Sequence, residues 1–203
     1  MTRTTSWDEL DYADSVLITY RCIRNPGADP DPDVWAEMHI SEVDWTAGWI
    51  DGQVAESTYR PGVDSPTFVM ERRKTTFSWG ADAAHLEILV LVGDALFGYA
   101  LGKGLDKLGG AINERLRGAP VPRSTVEEVE GQARQRIAVR YDTNGARLVL
   151  LESRASDDDV TVVLCEPDRR TKYEVTVKAY GGSAQVIICS RVHDEPVKGA
   201  AVP

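Results

Sequence analysis

The chain has 203 residues, 42% of them hydrophobic and 27% charged, enough for one large or two small folded units. Its formal net charge of −9 excludes indiscriminate binding to DNA or RNA, whose phosphates would be repelled. No basic segment followed by an apolar run opens the chain, and Cys22, Cys165 and Cys189 are too scattered for a disulfide framework, so a cytoplasmic protein with reduced thiols is expected.

Residues 15–23 (SVLITYRCI) are rich in β-branched and aromatic side chains and predict a strand, stopped by the turn residues of 25–32 (NPGADPDP). Residues 34–41 and 43–50 predict two more strands, carrying Trp35, Trp45 and Trp49; a loop over 56–66 and a strand or strand pair over 67–79 follow. Trp45 and Trp49 are candidates for exposed aromatics on a binding surface.

Residues 81–117 read as one long glycine-rich apolar helix. At about 100° per residue, Ala95, Gly98, Gly102 and Gly109 fall on one stripe, with Glu87 and Asp94 beside it. Gly98 and Gly102 form a GxxxG element, which lets two helix axes approach closely. Leu86, Leu89, Val90, Leu96, Phe97, Ala100, Leu108 and Ile112 make a broad apolar face. An interior glycine costs a helix about 1 kcal/mol, so close packing is the expected return, and Ala95, Gly98, Gly102, Gly109, Asp94 and Phe97 are the candidate interaction residues. Reversible membrane insertion is the competing reading. The apolar run of 88–101 is shorter than the roughly 20 residues that cross hydrocarbon, and Asp94 interrupts it. Basic residues after the run, Lys103, Lys107, Arg115, Arg117 and Arg123, suit either an anionic lipid surface or the negative end of a helix dipole.

Ser124 opens a second helix through the capping-box pattern Ser124-x-x-Glu127, and Val126, Val129, Ala133 and Ile137 carry its apolar stripe to Tyr141. Strands are predicted over 146–153, 160–165, 172–179 and 184–192, the third alternating cleanly between Tyr173, Val175, Val177 and Lys172, Glu174, Thr176. A capped helix followed by a meander with YEVTV at 173–177 resembles the small PepSY-type and cystatin-like modules. That resemblance implies a sheet wrapped around one helix, and protein binding or inhibition in place of catalysis. In outline, an apolar glycine- and alanine-rich helix between small β units also resembles accessory proteins of actinobacterial conflict systems.

The predicted fold class is α+β: an N-terminal antiparallel β sheet with the long glycine-rich helix, then a C-terminal helix plus a four-stranded antiparallel meander. The expected units are 1–118, with the helix at 81–117, a linker at 119–123, an α-β-β-β-β unit over 124–194 and a frayed tail over 195–203.

Catalytic constellations are not evident. Cys189 and His193 share a strand face but stand about 13 Å apart at that spacing, too far for a nucleophile and its base. Asp29, Asp31, Asp33 and Asp157–Asp159 match no calcium loop and read as solvated turns, while His39 and His85 stand alone. No enzyme, cofactor or metal is expected. The predicted function is a non-enzymatic interaction or assembly protein, associating with itself or a protein partner through the glycine-helix region; the alternative is a membrane-active effector or accessory protein of bacterial defence.

Overall fold

A computed structural model describes residues 12–24, 29–60, 62, 68–78, 82–116, 123–182 and 184–193. In β1 (Tyr12–Ile23), every second residue from Val16 to Cys22 turns into the core: Val16, Ile18, Tyr20 and Cys22. Opposite it, β2 (Val34–Thr46) buries Ala36, Met38 and Ile40 in the same core and turns Trp35, Glu37 and His39 to the other face. A β-bulge, with Glu42 at φ 59°, returns Val43 and Trp45 to the first face.

The chain then enters α1 (Ala47–Thr58), which buries Ala47, Ile50, Val54, Ser57 and Thr58 at helical spacing. The strand expected over 43–50 therefore stops at Thr46. Trp45 and Trp49 had suggested a β face; they are instead a strand residue and a helix residue in edge-to-face contact, ring centroids 4.9 Å apart.

β3 (Phe68–Ser78) pairs antiparallel with β4 (Asp82–Gly93), and β4 lies parallel to β1. Here the expected fold class is overturned. The long helix over 81–117 does not form, because its first third is β4, in the interior of the sheet. Leu86, Ile88, Val90 and Val92 fill the core while Glu87, Leu89 and Leu91 occupy the opposite face. With aliphatic residues on both faces, the period-2 pattern is concealed and the run can be mistaken for an apolar helix. Gly93 ends the strand in extended backbone and caps the helical part, α2 (Asp94–Tyr99), a π-helical turn (Ala100–Gly104) and α3 (Leu105–Arg115). Among the described residues, no helix is long and apolar enough to cross a membrane.

α4 (Val126–Tyr141) precedes β5 (Val149–Ala155), β6 (Asp159–Glu166), β7 (Thr171–Gly181) and β8 (Ala184–His193). These four strands are not a separate meander. β8 pairs with β2, so all eight strands form one mixed sheet in the order β3-β4-β1-β2-β8-β7-β6-β5. The expected linker over 119–123 lies outside the described residues except for Arg123, and the expected tail over 195–203 lies wholly outside them.

Two cores occupy opposite faces of this sheet. α1, α2 and α3 cover one, over β1, β2 and β4; α4 covers the other, over β5–β8 and Trp35 of β2. β8 shows the division residue by residue, with Ala184 and Val186 in the first core and Ile187 and Cys189 in the second.

The N-cap of α4 is Thr125, one residue beyond the expected Ser124. Its hydroxyl accepts from the Glu128 N–H at 3.2 Å, and the Glu128 carboxylate accepts from the Thr125 N–H at 2.9 Å. Thr125→Ala is expected to destabilise the protein by about 1 kcal/mol, a fall of about 2–4 °C in the thermal midpoint. Ser124→Ala, measured by the same melt, should leave the midpoint unchanged.

Candidate functional site

The residues singled out by the glycine pattern separate in space. Ala95, Gly98 and Gly102 are exposed, and a Cβ built at Gly98 or Gly102 would meet nothing within 4 Å. Gly109 is buried beneath the ring of Tyr180. The π-helical turn explains the split: one extra residue in a turn rotates everything beyond it by about 100° relative to a continuous α-helix. Phe97 belongs to the first core, and exposed Asp94 accepts a 3.6 Å hydrogen bond from Cys22 Sγ. Trp45 is only 6% exposed, and Trp49 is half-buried with the Arg115 guanidinium 4.3 Å above its ring. Neither tryptophan presents an open aromatic surface.

The other chemical candidates take structural places. Cys189 is fully buried in the second core, and burial pushes its thiol up to about 12, so it stays protonated. Asp31 accepts from Arg24 Nη2 at 2.6 Å and from the Asp33 N–H at 2.8 Å, while Asp33 accepts from Arg191 Nε at 2.6 Å.

Asp31 lines a recess of about 340 Å³ where β1, β2 and α4 meet. The antiparallel register sets Arg21 of β1 directly opposite Trp35 of β2, and Thr19 opposite Glu37. α4 crosses this face and brings Arg136 and Arg140, one helical turn apart, over the same strands. Tyr141 anchors the arrangement. Its hydroxyl accepts from Trp35 Nε1 at 3.1 Å and donates to the Pro32 carbonyl at 2.9 Å, and Arg191 stacks 4.4 Å over its ring. Arg140 lies 4.8 Å over the Trp35 ring.

Charge in the recess is unevenly matched. Glu37, 9% exposed, is the carboxylate between the helix arginines: Arg136 Nη1 approaches it to 3.5 Å and Arg140 Nη1 only to 3.9 Å, beyond hydrogen-bond length. His39 Nε2 lies between the two side chains, 2.9 Å from Arg136 Nη2 and 3.5 Å from the Glu37 carboxylate. Burial would raise the Glu37 carboxyl, but His39, Arg136 and Arg140 outweigh it and hold the group below its ordinary value. Arg140 is lowered, first by burial and then by repulsion from Arg21. The Nε of Arg21 is buried with no hydrogen-bond partner among the described residues. The arrangement can therefore accept an oxyanion, for which arginine forks provide paired donors.

Sequence reasoning missed this group because its members lie up to 120 positions apart. The available signals were the alternation Trp35-Glu37-His39, which puts two polar groups on an otherwise buried strand face, and the spacing of Arg136 and Arg140.

Comparisons with protein-family models, with curated proteins and with solved structures found no match for the chain. The resemblances to PepSY-type and cystatin-like modules rest on element order and a short strand pattern, and that to conflict-system proteins on outline.

Proposed function

We propose that this protein is a non-enzymatic interaction protein that engages an anionic group of its partner in the recess between β1, β2 and α4. The observation that carries this reading is the set of three guanidinium groups, Arg21, Arg136 and Arg140, lining the recess with Glu37 and with an Asp31 already held by Arg24. Half-buried cations without matched acceptors are costly, and a bound oxyanion would relieve that cost. The chain's overall charge of −9 makes the local cationic surplus selective, since a long polyanion would be repelled elsewhere. Its free cysteines, two of the three buried, favour a reducing cytoplasmic setting.

Thermal unfolding in acetate, sulfate and phosphate at fixed ionic strength tests the reading. A ligand that binds only the folded state at 100 times its Kd adds about 2.7 kcal/mol, so the midpoint should rise with the bound anion in the natural chain. Arg136→Gln should abolish the rise. Equal rises in both proteins would assign the effect to general salt stabilisation and sink the reading.

A second reading, self-association through the helix surface of Ala95, Gly98 and Gly102, is favoured by the open space over both glycines. Sedimentation of the natural chain and of Gly98→Leu would decide it, an unchanged oligomeric state counting against this surface.

A further inference from the structure

We infer that the group held in the recess is a phosphomonoester in its dianionic form. The inference rests on the anion-binding reading above and assigns the ligand's chemical class. Four guanidinium groups, Arg21, Arg24, Arg136 and Arg140, stand against two carboxylates, Asp31 and Glu37, at or beside the recess. Asp31 is already engaged by Arg24 and by the Asp33 N–H, so it does not neutralise the others. Counted over these guanidinium and carboxylate groups, two positive charges are left over.

A carboxylate supplies one negative charge and two oxygens, leaving one half-buried guanidinium uncompensated. A phosphodiester, as in a nucleic-acid backbone, also supplies only one charge. A terminal phosphoryl group carries between about −1.5 and −2 at neutral pH and offers three acceptor oxygens, matching both the surplus charge and the number of arginines lining the recess. The volume of about 340 Å³ exceeds what a bare phosphate fills and falls within the range of small-molecule sites. Pro30, Pro32 and Val139 give it apolar wall for an organic substituent. Free phosphate esters and the headgroup of a phosphomonoester lipid present the same chemistry.

The groups that set the pH response are known from the packing: Arg21 from β1, Glu37 and His39 from β2, and Arg136, Arg140 and Tyr141 from α4, with Asp31 and Arg24 at the rim and the Arg191–Asp33 pair behind Tyr141. His39 contacts both Arg136 and Glu37 through Nε2, so His39→Gln takes the imidazole out of the recess and leaves the ligand's own protonation to be read.

Isothermal titration of the full chain with phenyl phosphate and with benzoate, at pH 5 and pH 7.5, tests the inference. Phenyl phosphate is expected to bind at least about tenfold more tightly than benzoate, because arginine forks and charge both favour the dianion. In His39→Gln its affinity should rise roughly tenfold between the two pH values, following loss of the second phosphate proton near pH 6. Arg21→Gln and Arg136→Gln, checked for unchanged circular dichroism, should each lose the preference; Arg136→Lys covers the case in which the glutamine variant fails to fold.

Equal or tighter binding of benzoate overturns the phosphomonoester assignment and leaves the anion reading standing. Binding of neither probe to the folded natural chain, together with no binding to vesicles containing phosphatidic acid, overturns both. Binding to those vesicles but not to phenyl phosphate supports the inference and identifies a lipid headgroup as the source. The reverse supports it with a free ester.

Discussion

Gly109→Leu is expected to lower stability by about 3 kcal/mol, seen as a fall of about 6–12 °C in the thermal midpoint. A Cβ at this position would stand 2.2 Å from Cδ1 and Cε1 of the Tyr180 ring, far inside contact distance. The ring cannot swing aside freely, because the Tyr180 hydroxyl donates to Asp106 Oδ1 at 3.1 Å and Lys178 reaches the same carboxylate. This contact fastens α3 to β7, so the damage should extend to how the helix sits on the sheet. Tyr180→Ala in the same chain should recover part of the loss, since the two residues share one contact. Gly98→Ala provides the contrast: with open space around it, the substitution should raise stability by up to about 1 kcal/mol through helix propensity. A Gly109→Leu protein that melts with the natural chain would show that Tyr180 does not pack there.

The second large effect concerns Glu37. Glu37→Ala removes the carboxylate shared by Arg136, Arg140 and His39, leaving poorly solvated cations facing one another, at a cost of about 3 kcal/mol. The pH dependence has a definite sign. The folded-state pKa is depressed below the ordinary 4.5, so the stabilisation is complete at neutral pH and is lost as pH falls through the depressed value. Denaturant unfolding should therefore show the natural chain well above the variant at pH 7, with the gap closing in the acid range below 4.5. A gap that stays constant down to pH 3 would mean that Glu37 acts through packing alone.

Much of the secondary structure was legible because local chemistry and final burial agree. β7 announces itself by alternation, β1 by its β-branched and aromatic side chains, and α4 by its Val129-Ala133-Ile137 stripe. Agreement fails at two places for the same reason, that tertiary burial overrides the apparent period. β4 is apolar on both faces because it is an interior strand, so its alternation disappears. α1 follows a tryptophan-rich strand without a side-chain cap, and its buried positions emerge only when Ala47, Ile50 and Val54 are read at helical spacing. The glycine stripe was legible as a pattern but not as a surface, since one π-helical turn redistributes its members between solvent and core. The recess was least legible of all. It depends on the crossing of α4 over β1 and β2, a relation that no local window contains.

The junction of β2 with β8 gives the chain a particular order of assembly. Val34 faces Ser190 and Trp35 faces Cys189, partners separated by more than 150 residues. Every strand of the N-terminal half can leave the ribosome while β2 still presents an open edge, with Trp35 lacking the neighbours that bury it. Synthesis of β8 is then the event that closes the sheet and completes the second core. A chain halted before β8 keeps a long adhesive strand at its centre, ready to pair with another incomplete copy.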